Sequence, residues 1–195
     1  MRKSRPILIV LCFLHGCSTN SVGLVYRAPP SIASVAADAP DVTVGAFIDQ
    51  RGETAVWFGA IRGGYGNPLK VLNANASVSS QVQTAFADGL RARGFQSAGA
   101  GKSFQLAGVI RKLDCSQYVR LEAHAEIEVS VIEMASASSL FTRTYTADAL
   151  EGSLLAMNTG IFASVEGLRA LAEKTLSQVV DKALDDPALR DSMRR

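Results

Sequence analysis

The sequence predicts an α+β protein, a two-layer sandwich in which a mainly antiparallel meander sheet carries two helices on one face. Residues 119–132 alternate between apolar and polar side chains, which is typical of a strand with one buried and one wet face. Residues 77–94 and 164–184 repeat apolar residues every three or four positions, which is typical of amphipathic helices. The length of 195 residues suits one such domain.

The N-terminus has the pattern of a secretory signal. Three basic residues precede an apolar run from Ile7 to Leu14, which is too short to span a bilayer. The run ends in Leu14-His15-Gly16-Cys17, which resembles the lipobox of bacterial lipoproteins. This resemblance implies cleavage before Cys17, lipidation of its thiol and acylation of the new amino group. An ordinary cleaved signal with an unrelated cysteine is the alternative.

Composition limits the partners. Three of the 20 basic residues lie in the signal, so 17 basic and 18 acidic residues remain, with a formal net charge of −1. A nearly neutral chain has no net attraction for nucleic acid, and we expect none as a partner. Cys12 leaves with the signal and Cys17 takes the lipid, so Cys115 has no partner for an internal disulfide. It is either a reactive thiol or a small apolar filler.

We divide the chain into four parts: signal peptide 1–16, lipidated cysteine and flexible tether 17–40, α+β domain 41–187, and charged tail 188–195. The tether is predicted from a composition rich in Ser, Ala and Pro. About 22 flexible residues would reach roughly 25 Å and let the domain stand off the membrane. The alternative is local packing of its apolar residues on the domain: Val22, Leu24, Val25 and Tyr26.

The domain begins with a predicted strand, Asp41–Asp49, which carries apolar residues on both faces and ends in Asp49-Gln50-Arg51-Gly52. Residues 53–67 are predicted as a mobile loop, here called the flap, because aromatic residues stand among glycines. These are Trp57, Phe58 and Tyr65. For Trp57 and Phe58 we favour a second interpretation, in which the two side chains fold back onto the core. A short strand is predicted over 68–72.

Helix signals flank the next stretch. Asn75 or Ser77 can cap the N-terminus, Arg91 and Arg93 suit the helix dipole in the last turn, and Gly94 is a natural stop. The apolar stripe consists of Val78, Val82, Ala85, Phe86, Gly89 and Leu90.

A stretch that resembles a phosphate loop follows, Gly99-Ala100-Gly101-Lys102-Ser103. The motif requires glycine where this chain has Gln96, and a helix after the serine. The alternation over 104–110 predicts a strand instead, so we interpret residues 99–103 as a hairpin-like turn.

The strand over 119–132 places Glu122, His124 and Glu126 on its wet face. Carboxylates and an imidazole at alternate positions could bind a metal or perform acid–base chemistry, but no second ligand cluster accompanies them. A solvated sheet face is favoured. Residues 134–138 form a turn, and 140–149 return as an antiparallel strand.

The last helix begins near Ser164 and ends at Asp185-Asp186-Pro187. Its apolar stripe faces the core, and its polar side consists of Glu166, Arg169, Glu173, Lys174 and Asp181. Residues 188–195 are a charged tail that continues at most as a loose helical turn.

Together these features resemble the YajG-type family of uncharacterised bacterial lipoproteins. The resemblance covers most of 41–185 and rests on the lipobox, the Val-x-Val strand ending in Asp49-Gln50-Arg51-Gly52, the helix end Leu90–Phe95, the alternating strand and Tyr145–Gly152. It implies a lipid-anchored, periplasm-facing protein without known catalysis, similar in element order to auxiliary lipoproteins of lipid-transporting ABC systems. Ser18, where an inner-membrane lipoprotein would have Asp, resembles the outer-membrane sorting choice of enteric-type bacteria.

We therefore expect a non-enzymatic, membrane-anchored lipoprotein that binds an envelope protein in envelope assembly or lipid transport. No Ser-His-Asp or Cys-His arrangement is recognisable, and we expect neither metal nor cofactor. The expected partner or ligand surface is Trp57, Phe58, Tyr65, Glu122, His124 and Glu126. A carrier of a lipid or small molecule, with the flap closing an apolar groove, is the alternative, and an enzyme with a scattered site is the third hypothesis.

Overall fold

The computed structural model describes residues 18–32, 40–95, 103–152 and 164–193. Its strands are β1 (Ser18–Val22), β2 (Asp41–Asp49), β3 (Trp57–Arg62), β4 (Pro68–Ala74), β5 (Ser103–Gln117), β6 (Leu121–Glu133) and β7 (Ser138–Glu151). Its helices are α1 (Val78–Ala92), α2 (Val165–Leu184) and α3 (Pro187–Ser192). The strands form one seven-stranded sheet, and α1 and α2 pack on one of its faces and against each other.

The long strand β5 organises this sheet. One edge pairs with β6, which pairs in turn with β7, and both pairings are antiparallel. The other edge pairs in parallel with β2 along its first half and with β3 along its end. Beyond β3 the order continues through β4 to β1.

The predicted α+β class is confirmed, but a mainly antiparallel meander is not an accurate description. Three of the six pairings are parallel: β1 with β4, β2 with β5, and β3 with β5. For β2 and β5 the reason is that the chain returns through α1 to the sheet end at which β2 begins, where Ser103 lies opposite Asp41, so the two strands run in the same direction.

The predicted alternation of β6 is confirmed. Its inward side chains are buried and face the helices: Ala123, Ala125, Ile127, Val129 and Val131. Glu122, His124 and Glu126 alternate with them and are half-buried on the opposite face. The sheet therefore has one face covered by helices and one polar face.

The flap prediction is wrong for Trp57 and Phe58, because residues 57–62 form strand β3 between β4 and β5. Phe58 is fully buried, as the favoured interpretation expected. Gly59 explains the misleading glycine signal. A Cβ there would lie 2.5 Å from the carbonyl oxygen of Cys115, so glycine permits close strand contact and does not mark a loop.

Arg51 fills the break between β2 and β3. Along this edge of β5 the pairing with β2 ends at Ile110 and the pairing with β3 begins at Cys115. The Arg51 guanidinium lies at this gap and donates to the carbonyl oxygens of Trp57 at 2.8 Å and Leu113 at 2.9 Å. Two further hydrogen bonds, each 2.8 Å, join it to both carboxylate oxygens of Asp49. These bonds lower the pKa of Asp49 despite its partial burial. The Asp49-x-Arg51 pattern is thus a structural device of the sheet.

Both predicted helix starts are confirmed. The Ser77 hydroxyl accepts from the Ser80 amide, and the Ser164 hydroxyl accepts from the Gly167 amide, each at 3.2 Å. The predicted end before Asp185 is confirmed as well.

Both ends of the chain are more ordered than a tether and a charged tail imply. Residues 18–22 form β1, and Leu24 and Tyr26 are buried, as the local-packing alternative allowed. In α3, Leu189 and Met193 are buried one helical turn apart, which holds it on the domain. Within the described residues, 18–27 and 187–193 are therefore packed on the domain.

A glycine in β5 generates a stability prediction. A Cβ at Gly108 would lie 2.2 Å from the carbonyl oxygen of Glu128 and 2.8 Å from the ring of Phe47. Backbone cannot yield as a flexible side chain can, so Gly108→Ala should lower the free energy of unfolding by about 1–3 kcal/mol or more. Urea denaturation measures this change.

Gly64→Ala is the matched control, because a Cβ at Gly64 would meet nothing within 4 Å. An equal stability for the two variants would contradict the close approach of β5 to β6 at Gly108.

Candidate functional site

The structure attaches the N-terminal segment, defined here as Ser18–Arg27, firmly to the domain. β1 pairs in parallel with β4 from Ser18 opposite Lys70 to Val22 opposite Ala74. The Asn75 amide then donates to the Val22 carbonyl oxygen at 3.0 Å. The predicted lipidation residue, Cys17, lies outside the described residues, but the strand begins at the very next position. No linker separates that position from the sheet.

The segment next crosses the helices and is held through its backbone. The Leu24 amide donates to the side-chain oxygen of Gln81 at 2.6 Å, and the Arg27 amide donates to the Ser177 hydroxyl at 2.9 Å. The Val25 amide donates to a carboxylate oxygen of Glu173 at 3.3 Å. Beyond Val22 the segment no longer pairs with β4, and side-chain acceptors on α1 and α2 take over the hydrogen bonds of its backbone amides.

Glu173 is a fully buried carboxylate that serves this attachment. It accepts from the Nε of Arg27 at 2.9 Å and from the guanidinium of Arg169. A buried carboxylate is costly unless it is paired, and these two guanidinium groups pair it. It therefore binds the N-terminal segment to α2.

Arg93, also fully buried, is the second attachment point. Its guanidinium binds both carboxylate oxygens of Asp185 at 2.9 and 2.7 Å and one oxygen of Asp181 at 2.9 Å. It also donates to the Tyr26 hydroxyl at 3.1 Å, and that hydroxyl donates to Asp181 at 2.7 Å. One guanidinium therefore joins the end of α1, the end of α2 and the N-terminal segment.

The charges of this cluster reinforce one another. Burial opposes the positive charge of Arg93, but hydrogen bonds to Asp185, Asp181 and Tyr26 outweigh burial and raise its pKa. The same bond to Arg93 lowers the pKa of Asp185. Burial and the bond to Asp181 raise the pKa of Tyr26. The ion pairs are therefore fully formed at neutral pH.

The polar sheet face is a surface of paired charges. Arg120 pairs with Glu122 at 2.8 Å, and Nδ1 of His124 lies 2.6 Å from a carboxylate oxygen of Asp148 on β7. The contact with His124 lowers the pKa of Asp148. A further cross-strand pair joins Arg111 to Glu128 at 2.7 Å.

Metal binding and thiol chemistry find little support in the residues described. Within 18–32, 40–95, 103–152 and 164–193, no group of three or more His, Cys, Asp or Glu side chains is placed to hold a metal ion. Cys115 is buried, and burial, with the nearby Asp114 charge, raises the pKa of its thiol. Its environment is that of an apolar filler.

A groove of about 610 Å³ lies between α1 and β2. Apolar and polar side chains line it together, and the Gln83 amide donates to the Val44 carbonyl oxygen at 3.3 Å. The apolar part consists of Val42, Val44, Ala87, Leu90 and Phe95. No residue of the predicted flap lines this groove.

The residues predicted as a partner or ligand surface do not gather at one site. Phe58 lies in the core and Trp57 is half-buried at the start of β3. Tyr65 is fully exposed in the turn beyond the other end of β3. Glu122, His124 and Glu126 share the polar sheet face. Only the last three form the contiguous surface that the sequence suggested.

Sequence reasoning misses both buried charges. The helical pattern puts Glu173 on the polar side of the last helix and gives Arg93 only a role at a helix end. The available signal is the spacing of Asp181 and Asp185, which puts two carboxylates on one helix face. Their partner lies 92 positions away from Asp185 along the chain, and the pattern does not reveal it.

Among the described parts of the chain, no helix combines the length and apolar character needed to cross a membrane.

The fold is similar to that of a Xanthomonas campestris protein of the DUF330 family, with a TM-score of 0.62, 13% identity, and coverage of 91% of this chain and 98% of the other. An uncharacterized protein is similar with a TM-score of 0.56, 7% identity, and coverage of 86% and 96%. A search of the curated proteins finds no match.

The structure itself is an α+β domain with helices on one sheet face, and the similarities show that other proteins share this fold. Residues 39–194 match the family model described as uncharacterized lipoprotein. The chain therefore belongs to this lipoprotein family, which confirms the predicted resemblance. Membership implies lipid anchoring in the cell envelope.

The Arg93 cluster generates a prediction. Arg93→Met removes the buried cation and its hydrogen bonds, but Asp181 and Asp185 are partly exposed to water, so the free energy of unfolding should fall by about 1.5–3 kcal/mol. Urea denaturation at neutral pH measures the loss.

The free energy of unfolding of the wild type should also fall more steeply below pH 4 than that of the Arg93→Met variant. The bond to Arg93 lowers the Asp185 pKa from its usual 3.8, so this contribution is lost as pH falls through the lowered value.

Arg91→Met is the control, because Arg91 is exposed and its ion pair with Asp88 should contribute about 0–1 kcal/mol. Similar losses for the two variants would contradict the structural role assigned to Arg93.

Proposed function

We propose that this protein is a non-enzymatic lipoprotein, anchored through lipid on Cys17 to the outer membrane and facing the periplasm, that binds an envelope protein. The observation that carries the proposal is the start of β1 at the residue after Cys17, in a chain of a lipoprotein family. Ser18, in the place of Asp, favours the outer membrane under the enteric sorting rule. Acyl chains on one residue supply the membrane affinity, at about 0.8 kcal/mol per buried methylene.

The anchor is tested by changing Cys17 to Ser in the full chain. Wild type should incorporate labelled palmitate and float with membranes, whereas the variant should do neither. Because the substitution lies outside the described domain, thermal unfolding of the folded domain should be the same in the variant as in wild type. A variant that is just as membrane-bound as wild type would contradict lipid anchoring at Cys17.

The polar sheet face is the proposed partner surface. It lies opposite the helices and presents alternating acidic and basic side chains, a pattern that suits a protein with complementary charges. A photo-crosslinking residue at Thr146 on this face should trap one dominant envelope protein in intact cells. The same residue at Ser80, exposed on α1, is the control. Equal trapping from both positions, or none from Thr146, would contradict the proposal.

The groove between α1 and β2 favours a second candidate function, a lipid or small-molecule carrier. Its volume of about 610 Å³ is within the usual size range of ligand pockets. Ala87→Phe would place a ring in the groove. Native mass spectrometry should then show a stoichiometric ligand on wild type and its loss from the variant. A clean unliganded mass for wild type purified from membranes would argue against a carrier.

A further inference from the structure

Strand register brings two turns to the end of the sheet at which β1 begins. Ser18 lies opposite Lys70, two positions into β4, and Arg62 at the end of β3 lies opposite Pro68. The turn between β3 and β4, residues 63–67, is therefore beside the start of β1. At the same sheet end, Ile61 lies opposite Gln117, after which residues 118–120 turn into β6. We call residues 63–67 and 118–120 the two-turn rim.

The rim is close to the expected lipid. The sheet order is β1, β4, β3, β5, so three strand spacings separate β1 from β5, about 14 Å. Since the strand starts directly after Cys17, no chain length is available to move the lipid away from this end. Acyl chains on Cys17 would therefore draw the rim toward the membrane surface.

Four of the nine large apolar residues that are exposed in the described parts of the chain lie in the rim or directly beside it, whereas the β6–β7 turn has one, Met134. The Tyr65 side chain is 101% exposed, Tyr118 48% and Val119 45%, and Leu69 at the start of β4 adds 38%. Single exposed apolar side chains are normal on a protein surface, but a group of them at one edge is typical of a protein or membrane interaction site. Tyrosine in particular suits the headgroup region of a bilayer, because its ring is apolar and its hydroxyl is polar.

The rim is also ordered, so these side chains are presented outward. The Gly63 amide donates to the Asn67 carbonyl oxygen and the Gly66 amide to the Gly63 carbonyl oxygen, both at 2.8 Å. The Tyr118 hydroxyl donates to the Gly64 carbonyl oxygen at 2.8 Å, which joins the two turns. Gly66, with a φ of 79°, closes the first turn in a conformation that favours glycine. Tyr65 stands at its tip.

We propose that the two-turn rim is a membrane-contact surface that inserts Tyr65, Tyr118 and Val119 into the headgroup region of a phospholipid bilayer. This inference rests on the proposed lipid anchor at Cys17. The anchor supplies affinity, and the rim determines orientation. The sheet then stands end-on to the bilayer, and the β6–β7 turn, residues 134–137, points away from it.

The test uses the mature lipidated protein, reconstituted in vesicles of phosphatidylethanolamine and phosphatidylglycerol. A single environment-sensitive fluorophore is attached through Asn67→Cys or Val119→Cys in the rim, or through Ser136→Cys in the β6–β7 turn as the matched control. Cys115 is buried and should not be labelled in the folded protein. Lipids brominated near the headgroup quench only a fluorophore that reaches them.

We expect a blue shift and strong quenching at positions 67 and 119, and neither at 136. The protein could instead float with the vesicles while aqueous iodide quenches the labels at 67 and 119 as strongly as the label at 136. That result would overturn the contact surface and leave the anchor intact. A dominant protein adduct from a photo-crosslinker at 67 in cells, with no lipid quenching, would assign the rim to a protein partner and also overturn it. Failure of the unlabelled protein to float would instead contradict the anchor itself.

Discussion

The attachment of the N-terminal segment to the domain is the constraint on which the rest of this structure depends. β1 extends the sheet beyond β4, and residues 24–27 then cross α1 and α2, where their backbone amides donate hydrogen bonds to Gln81, Glu173 and Ser177. Two fully buried charged residues, Glu173 and Arg93, complete the attachment. Releasing this segment would leave both without part of their pairing, which is expensive at buried sites. The segment is therefore part of the fold.

This attachment limits how far the domain could move relative to a lipid anchor at Cys17. A flexible tether of about 22 residues would let the domain sample a half-sphere of roughly 25 Å. If Cys17 carries the lipid, as proposed, a strand that starts at the next residue would remove this freedom and turn one end of the domain toward the membrane. The polar sheet face and the groove between α1 and β2 would then lie along the sides of the domain, where a partner could reach both.

Features that depend on local pattern could be predicted from the sequence, whereas those that depend on distant pairing could not. Helix starts at Ser77 and Ser164 follow from a hydroxyl that caps the next turn, and the alternation of β6 follows from its one buried face. The parallel pairings of β1, β2 and β3 involve partners across many residues, and no local signal reports them. In β3, Gly59 resembles a loop residue, although glycine is there because the Cys115 backbone approaches closely. At the candidate sites, the lipobox points to Cys17, and the glycine-aromatic pattern points to Tyr65, although as part of a flap.

Amide hydrogen exchange on the mature lipidated protein tests the central claim most directly, namely that the chain is folded from the residue after the lipid. The account predicts that the amides within residues 19–22 that bond to β4, alternate ones because β1 is an edge strand, are protected from exchange, and that the amides of Leu24, Val25 and Arg27 are protected as well. Exchange of residues 19–27 at the rate of an unstructured peptide, with β4 still protected, would contradict it. The lipid would then be carried on a flexible tether.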